Sequence, residues 1–289
     1  MPELPEVEAA RRGLETQFLG RTLVRHELRL PKLVVAPVGL SLDLLLGKPL
    51  RAVQRHGKYL PLQFDDTAAI VHLKLSGQLV ARGPNIPGFN AGHPVPHWGA
   101  DLPHKSTHLV LTFEDDATLF LTDIRHFARI VLLPSNELDD ALAALKLGPD
   151  AIGPRFTRAW FQEAIRRRPG ARLKPLLLDQ SFVAGLGNIY VDEALWEARL
   201  HPERIASSLT DDETNGLYDA IVRVLEIAVP IGGAEILNGK AQPEHGAFPF
   251  VHGRQGAPCL RCGTPIVKER VNNRGTYRCP VCQPEIRPG

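Results

Sequence analysis

The chain has no apolar run of about twenty residues and no basic segment followed by an apolar one, which argues against a membrane span and against secretion and points to a cytoplasmic protein. It also has almost no net charge: 34 Lys and Arg stand against 32 Asp and Glu, leaving +2 at pH 7. No global positive field advertises nucleic acid, so any such footprint must be local. Internal repeats are absent, and no repeat architecture is expected. Cysteine is scarce, with four in the chain, all near the C-terminus. In a cytoplasmic setting that disfavours two disulfides, and the short polar tail around the cysteines has no βαβ pattern to suggest a redox pair. What the chain does have is 289 residues, enough for about two domains, and 44% hydrophobic content, ample for two cores.

The four cysteines form two Cys-x-x-Cys pairs, Cys259/Cys262 and Cys279/Cys282, with sixteen residues between the pairs. Each such turn offers two thiolates to one tetrahedral zinc. Four thiolates close the coordination sphere, so the expected metal is a single structural zinc, with no organic cofactor. Its binding energy, on the order of 10 kcal/mol, does what a hydrophobic core cannot do in a module of about thirty residues. Between the pairs, Lys268 to Tyr277 reads as a β-hairpin with Arg274 on an Asn-Asn-Arg-Gly turn. Taken alone, that turn is either a solvated charged tip or a DNA contact.

At the other end, Met1-Pro2-Glu3-Leu4-Pro5-Glu6-Val7-Glu8 places a proline where loss of the initiator Met exposes a secondary amine. An α-amino group titrates at about 7.7 to 8.0, so a nucleophilic fraction exists at neutral pH, and a nearby cation enlarges it. Pro5, Glu6 and Glu8 suit a helix start, and Val7, Ala10, Leu14 and Phe18 give it an apolar stripe.

Short β-rich runs recur up to residue 133: Thr22 to Leu28, Leu50 to Arg55, Tyr59 to Phe64, Ala69 to Leu73, His108 to Phe113, Thr118 to Thr122 and Ile130 to Leu133. They predict an N-terminal helix plus β-sandwich over 1–133. The stretch Arg82 to Lys105, rich in Gly, Pro and His, reads as a surface loop, and its His93, His97 and His104, together with His108, read as surface or packing histidines rather than metal ligands. A connection over 134–156 leads to helical patterns at Leu138 to Leu147, Thr157 to Arg167, Tyr190 to Ala198 and Asp211 to Val229. The expected domains are therefore 1–133, a linker 134–156, a helical region 157–250, and a metal module with its tail over 251–289. The fold class is α+β and multidomain. Gly185-Leu186-Gly187-Asn188 puts two glycines before a helix, with Asn188 as the N-cap candidate and exposed amides suited to a phosphate. The third glycine of a dinucleotide fingerprint is missing.

Together, the opening octapeptide, Gly57-Lys58-Tyr59, Asp123-Ile124-Arg125-His126-Phe127, Gly185 to Tyr190 and the cysteine module resemble the formamidopyrimidine-DNA glycosylase/endonuclease VIII family over nearly the whole chain. The opening places the chain nearer the formamidopyrimidine branch. The resemblance implies a helix-two-turns-helix region and a hairpin zinc finger, and a monomer acting on damaged double-stranded DNA with no membrane. It implies a bifunctional glycosylase and abasic-site lyase that removes oxidised bases, 8-oxoguanine and formamidopyrimidines foremost, through a Schiff base on Pro2 followed by β,δ-elimination. Glu3 then handles protons, Glu6 positions that group, and Lys58 lies beside the amine and the phosphates. Leu75, Arg125 and Phe127 fill the gap left by the flipped nucleotide, while Lys174, Asn188 and Arg274 contact the backbone. Wedges of this kind replace lost stacking.

The alternatives are an oxidised-pyrimidine glycosylase like endonuclease VIII and a non-catalytic zinc protein that binds damaged DNA. The chain departs from the family pattern at Leu75 (commonly Met), at Ile124, His126 and Ala128 (Pro, Arg and Gly), and in the short segment 233–254, where Phe248-Pro249-Phe250 suggests a more rigid substitute for a base-capping loop.

Overall fold

Val7, Ala10, Leu14 and Phe18 do recur on one buried face, and they make the first helix, α1 (Leu4–Phe18), part of the main core. The structure is a computed structural model that describes residues 2–237, 240–242 and 248–285. It divides into two compact units, 1–146 and 147–289.

In the first unit ten strands follow α1: β1 (Leu23–Leu28), β2 (Val34–Val35), β3 (Ala52–Val53), β4 (Tyr59–Gln63), β5 (Thr67–His72), β6 (Gly77–Arg82), β7 (Phe89–Gly92), β8 (Thr107–Phe113), β9 (Thr118–Asp123) and β10 (Arg129–Pro134). They form two five-stranded sheets, in the orders β1-β8-β9-β6-β7 and β2-β10-β5-β4-β3. Alternation decides the faces. In β8, Leu109, Leu111 and Phe113 enter the core between the sheets, while Val110 joins Val80 and Phe120 on the outer face.

The Gly/Pro/His-rich stretch 82–105 is not simply a surface loop. It supplies β7, which pairs with β6, buries Ala91, and sets Leu102 against the outer-face cluster. The edge of β6 needed a partner, and the glycines and prolines masked the short strand that provides one. Phe89 of β7 packs on α1 so closely that a Cβ at Gly13 would lie 2.5 Å from its ring. Within 134–156, helix α2 (Leu138–Ala144) turns Leu138 and Leu142 onto Ala68, Ile70 and Leu133.

The second unit contains α3 (Arg158–Arg166), α4 (Leu173–Leu178), α5 (Asn188–Glu197) and α6 (Asp211–Ala228), then the pairs β11 (Ile236–Leu237) with β12 (Lys240–Ala241) and β13 (Val267–Val271) with β14 (Arg274–Arg278). Helix α4, not anticipated from the sequence, is six residues long with Leu173, Leu176 and Leu177 buried. In α6 Thr210 and Glu213 close a reciprocal capping box at the start of the helix. Part of the divergent segment, 238–239 and 243–247, lies outside the described residues. Beyond it Phe248 stacks on Tyr190 at 6.2 Å. The Glu193 carboxylate accepts N–H bonds from Phe250, Val251 and His252 at 2.7–2.9 Å. Burial pushes Glu193 up to about 7 against those three donors. Among the described residues no helix is long and apolar enough to cross a membrane.

Candidate nucleic-acid interface and catalytic amine

Pro2 is buried at the mouth of α1, and Glu3 is its N-cap. Glu3 and Glu6 form a reciprocal capping box in which the Glu3 N–H donates to Glu6 Oε2 at 2.9 Å. Glu3 is only 1% exposed. The residue beside the prospective nucleophile is therefore held by a rigid helix end.

One turn further, Glu8 collects Arg11, Arg12 and Arg55. Burial opposes its ionisation, but these guanidinium groups outweigh burial and bring Glu8 down to about 2. Arg55 also donates to the Gly57 carbonyl at 3.0 Å, next to the buried Lys58. Glu8 and Arg55 thus pin the Gly57–Lys58 turn to α1. The Lys58 charge, after burial and Lys74, helps hold His72 down to about 3.

The corner expected to fill a vacated base position is built on Asp123. Its carboxylate accepts N–H bonds from Arg125 (3.0 Å), Phe127 (2.7 Å) and Ala128 (2.7 Å), and the Ser76 hydroxyl donates to it as well. Burial disfavours the charge, yet these donors hold Asp123 below the ordinary carboxylate range. Because Ser76 follows Leu75, and Gly77 pairs with Asp123 across β6 and β9, Leu75, Arg125 and Phe127 share this corner. Phe127 is 43% exposed, so it lies outside the core, and the Arg125 guanidinium lies 5.1 Å from its ring centroid. His126 is exposed in a left-handed conformation (φ 60°), edge-on to His108 at 4.5 Å. His108 is buried and bonded to the Asp123 carbonyl.

In the second unit the N-cap of α5 is Gly187, and Asn188 is the first helical residue rather than the cap. Gly187 provides the extended cap conformation, which releases the Asn188 side chain to donate its Nδ2 to the Gly275 carbonyl at 2.8 Å. Its Oδ1 is buried and has no hydrogen-bond partner among the described residues. Gly275 follows Arg274, which is exposed beside a turn whose Asn272 and Asn273 both have positive φ (47° and 61°). That is the geometry of a tight two-residue hairpin turn.

Lys174, expected at a phosphate, is 0% exposed. Its ammonium binds Asp192 (2.6 Å), Thr276 Oγ1 (2.8 Å) and the same Gly275 carbonyl (3.1 Å). Lys174 therefore braces the hairpin from beneath. Asp192 completes the brace by accepting from His252 and from the Tyr277 N–H.

The four cysteine sulfurs lie within 4.8 Å of one another and are the only such cluster of potential ligands among the described residues. Contacts of 3.4, 3.5 and 3.9 Å bracket the separation of about 3.8 Å that four 2.3 Å zinc–sulfur bonds impose on a tetrahedron. The residues fit one structural zinc.

Three family models match in order. The formamidopyrimidine-DNA glycosylase N-terminal domain covers residues 1–130, the formamidopyrimidine-DNA glycosylase H2TH domain covers 147–238, and a zinc finger found in FPG and IleRS covers 256–284. The chain belongs to the formamidopyrimidine-DNA glycosylase family. The formamidopyrimidine-DNA glycosylase of Enterococcus faecalis is 41% identical across 98% of this chain and 97% of its own. That of Heliobacterium modesticaldum is 40% identical across 98% and 100%. A Lactococcus lactis FPG variant bound to Fapy-dG DNA superimposes with a TM-score of 0.83 at 34% identity, covering 98% of this chain and all of that one. MutM bound to DNA containing carbocyclic 8-oxo-G gives 0.82 at 35% identity, with the same coverage. Family membership accounts for the motifs at both ends of the chain. Sequence reasoning missed Glu8, Arg55, Ser76, Asp123 and Asp192, which hold the expected site residues in place. Each bonds a residue far away in the chain, which no local pattern announces.

Proposed function

We propose that this chain is a bifunctional DNA glycosylase and abasic-site lyase of base excision repair, acting on oxidised purines, 8-oxoguanine and formamidopyrimidines foremost. The observation that carries the reading is the Glu3–Glu6 capping box, which fixes Pro2 and a buried carboxylate together at one helix end in a chain of this family.

In this reading the Pro2 nitrogen, exposed by removal of Met1, attacks the sugar C1′ of a flipped nucleotide. Glu3 donates a proton to O4′ as the ring opens, and Glu6 keeps Glu3 in place. The resulting iminium is an electron sink that acidifies the C2′ proton, and β- then δ-elimination cut the strand. Leu75, Arg125 and Phe127 occupy the vacated stack. Lys58, Asn188 and Arg274 take phosphates, and Lys174 acts indirectly, by holding the Gly275 carbonyl. The zinc supplies structure to the hairpin and takes no part in the reaction. Thiolates that serve a zinc suit a reducing compartment, which supports a cytoplasmic location.

The test is borohydride trapping on duplexes carrying 8-oxoguanine, an oxidised pyrimidine or an abasic site, with the native protein and Pro2→Gly. A covalent adduct at Pro2, abolished in the variant, is expected, and the yield across lesions ranks the substrates. Zinc-loaded protein with a free Pro2 that binds all three duplexes and traps none would instead be a damage-binding protein.

A further inference from the structure

Two turns present the apolar residues of the Asp123 corner. Lys74 stands before Leu75 in the turn between β5 and β6, and His126 stands before Phe127 in the turn between β9 and β10. Both have left-handed backbones, with φ 54° and 60°. A lysine or histidine is strained there and a glycine is not, yet at each place the chain keeps a side chain that carries or can gain positive charge. Both side chains are exposed, and neither has an acidic partner among the described residues. The Lys74 N–H donates to His72 Nδ1 at 2.9 Å, and its charge bears on His72 together with that of Lys58. His126 stands edge-on to the buried His108. His108 Nε2 donates to the Asp123 carbonyl at 2.7 Å, which fixes its tautomer, and burial holds it below the usual histidine range. The other charged groups around His126 are Arg125, Arg129, whose guanidinium donates to the His126 carbonyl, and Lys32, which bears on His108. The acid is Asp123, and its carboxylate is already taken by Ser76 and three backbone N–H groups. A cation at either position is thus left for an anion from outside the protein to neutralise.

We propose that Lys74 and His126 are two backbone-phosphate contacts that flank the wedge of Leu75, Arg125 and Phe127. The inference rests on the reading that this corner enters the DNA stack. An inserted wedge works against base stacking, and phosphate contacts beside it fix its position without reading sequence. Because each cation and its apolar neighbour share one tight turn, the two arrive at the duplex together. Lys74 grips a phosphate at constant strength. His126 does not: histidine changes charge between about pH 5 and 8, an adjacent phosphate favours the charged form, and binding then takes up a proton. Affinity for a duplex with a vacated base position therefore rises as pH falls through that range.

The test is binding to a duplex carrying a stable abasic-site analogue, followed by fluorescence anisotropy at several salt concentrations, at about pH 6 and about pH 8. The proteins are zinc-loaded wild type, Lys74→Gly, His126→Asn and His126→Arg, each with its melting temperature. Lys74→Gly is expected to hold its melting temperature, to bind roughly fivefold more weakly, and to lower the salt slope by about 0.9 at both pH values. His126→Asn, a residue that tolerates the left-handed turn, is expected to show the same losses at the lower pH only. His126→Arg is expected to bind at both pH values as the wild type does at the lower one, a rescue that a merely packing histidine does not show. A wild-type slope in Lys74→Gly overturns the proposal. So does a His126→Asn that keeps the wild-type change between the two pH values, or a His126→Arg that behaves like His126→Asn. If Lys74→Gly melts too early to assay, Lys74→Asn decides by the same slope. A wild type that fails to bind at either pH overturns the DNA reading and the proposal with it, whereas the other failures leave that reading standing.

Discussion

Arg55 Nε lies 3.0 Å from Glu8 Oε2, with the two side chains 8% and 7% exposed, and this pair fastens the Gly57–Lys58 turn to the helix that begins beside Pro2. Arg55→Met removes this charged hydrogen bond but leaves Glu8 paired with Arg11 and Arg12, so it is expected to lower unfolding stability by about 1.5–3 kcal/mol and to slow trapping at Pro2, measured by urea denaturation and borohydride assay.

The same carboxylate sets a pH dependence. Glu8 titrates near 2 in the folded protein against a reference of 4.5, so the unfolded chain binds the proton first. Its stabilisation is complete above about pH 5 and is lost as pH falls through 4.5 toward 2, on the order of 3 kcal/mol. Glu8→Gln should flatten the stability profile over that window in denaturant titrations.

Phe127 is well exposed, and truncating it should leave stability within about 0.5 kcal/mol. Excision from a lesion-containing duplex is expected to fall at least about tenfold, because nothing then replaces the lost stacking. Asp123→Ala should reproduce that loss and also destabilise the protein, since it orphans the N–H groups of Arg125, Phe127 and Ala128.

Lys174 and Arg274 should separate cleanly. Arg274→Ala leaves the melting temperature unchanged and reduces the salt dependence of DNA binding by about one phosphate contact. Lys174→Met leaves Asp192 buried without its cation, lowers stability by about 3–5 kcal/mol, and weakens DNA binding only through the hairpin it supports. Calorimetric melting and binding isotherms at several salt concentrations check both.

Zinc removal is expected to withdraw on the order of 10 kcal/mol from the C-terminal hairpin. Chelation should then abolish the Arg274 contribution to DNA binding while the β-sandwich circular dichroism signal persists.

The parts legible in the sequence were those encoded by near neighbours. Short β-rich runs between turn signals marked seven strands of the sandwich, helical spacing marked α1, α2, α3, α5 and α6, and two Cys-x-x-Cys turns marked the zinc. The family resemblance rested on such local motifs, and it holds. Weak local signals misled: Gly and Pro hid β7, and Asn188 looked like a cap because Asn caps well, although Gly187 took that place.

What only the tertiary structure decided were the long-range bonds. Ser76 meets Asp123 across 47 residues, and Lys174 meets Gly275 across 101. The same holds for whether a lysine meets solvent or a buried aspartate. By itself, the sequence determined the chemical groups, the local elements and the family. The packing of α1 on β7, of β6 on β9 and of α5 on β14 decided which of those groups meet, because burial and buried-charge pairing depend on neighbours brought together only by the folded chain.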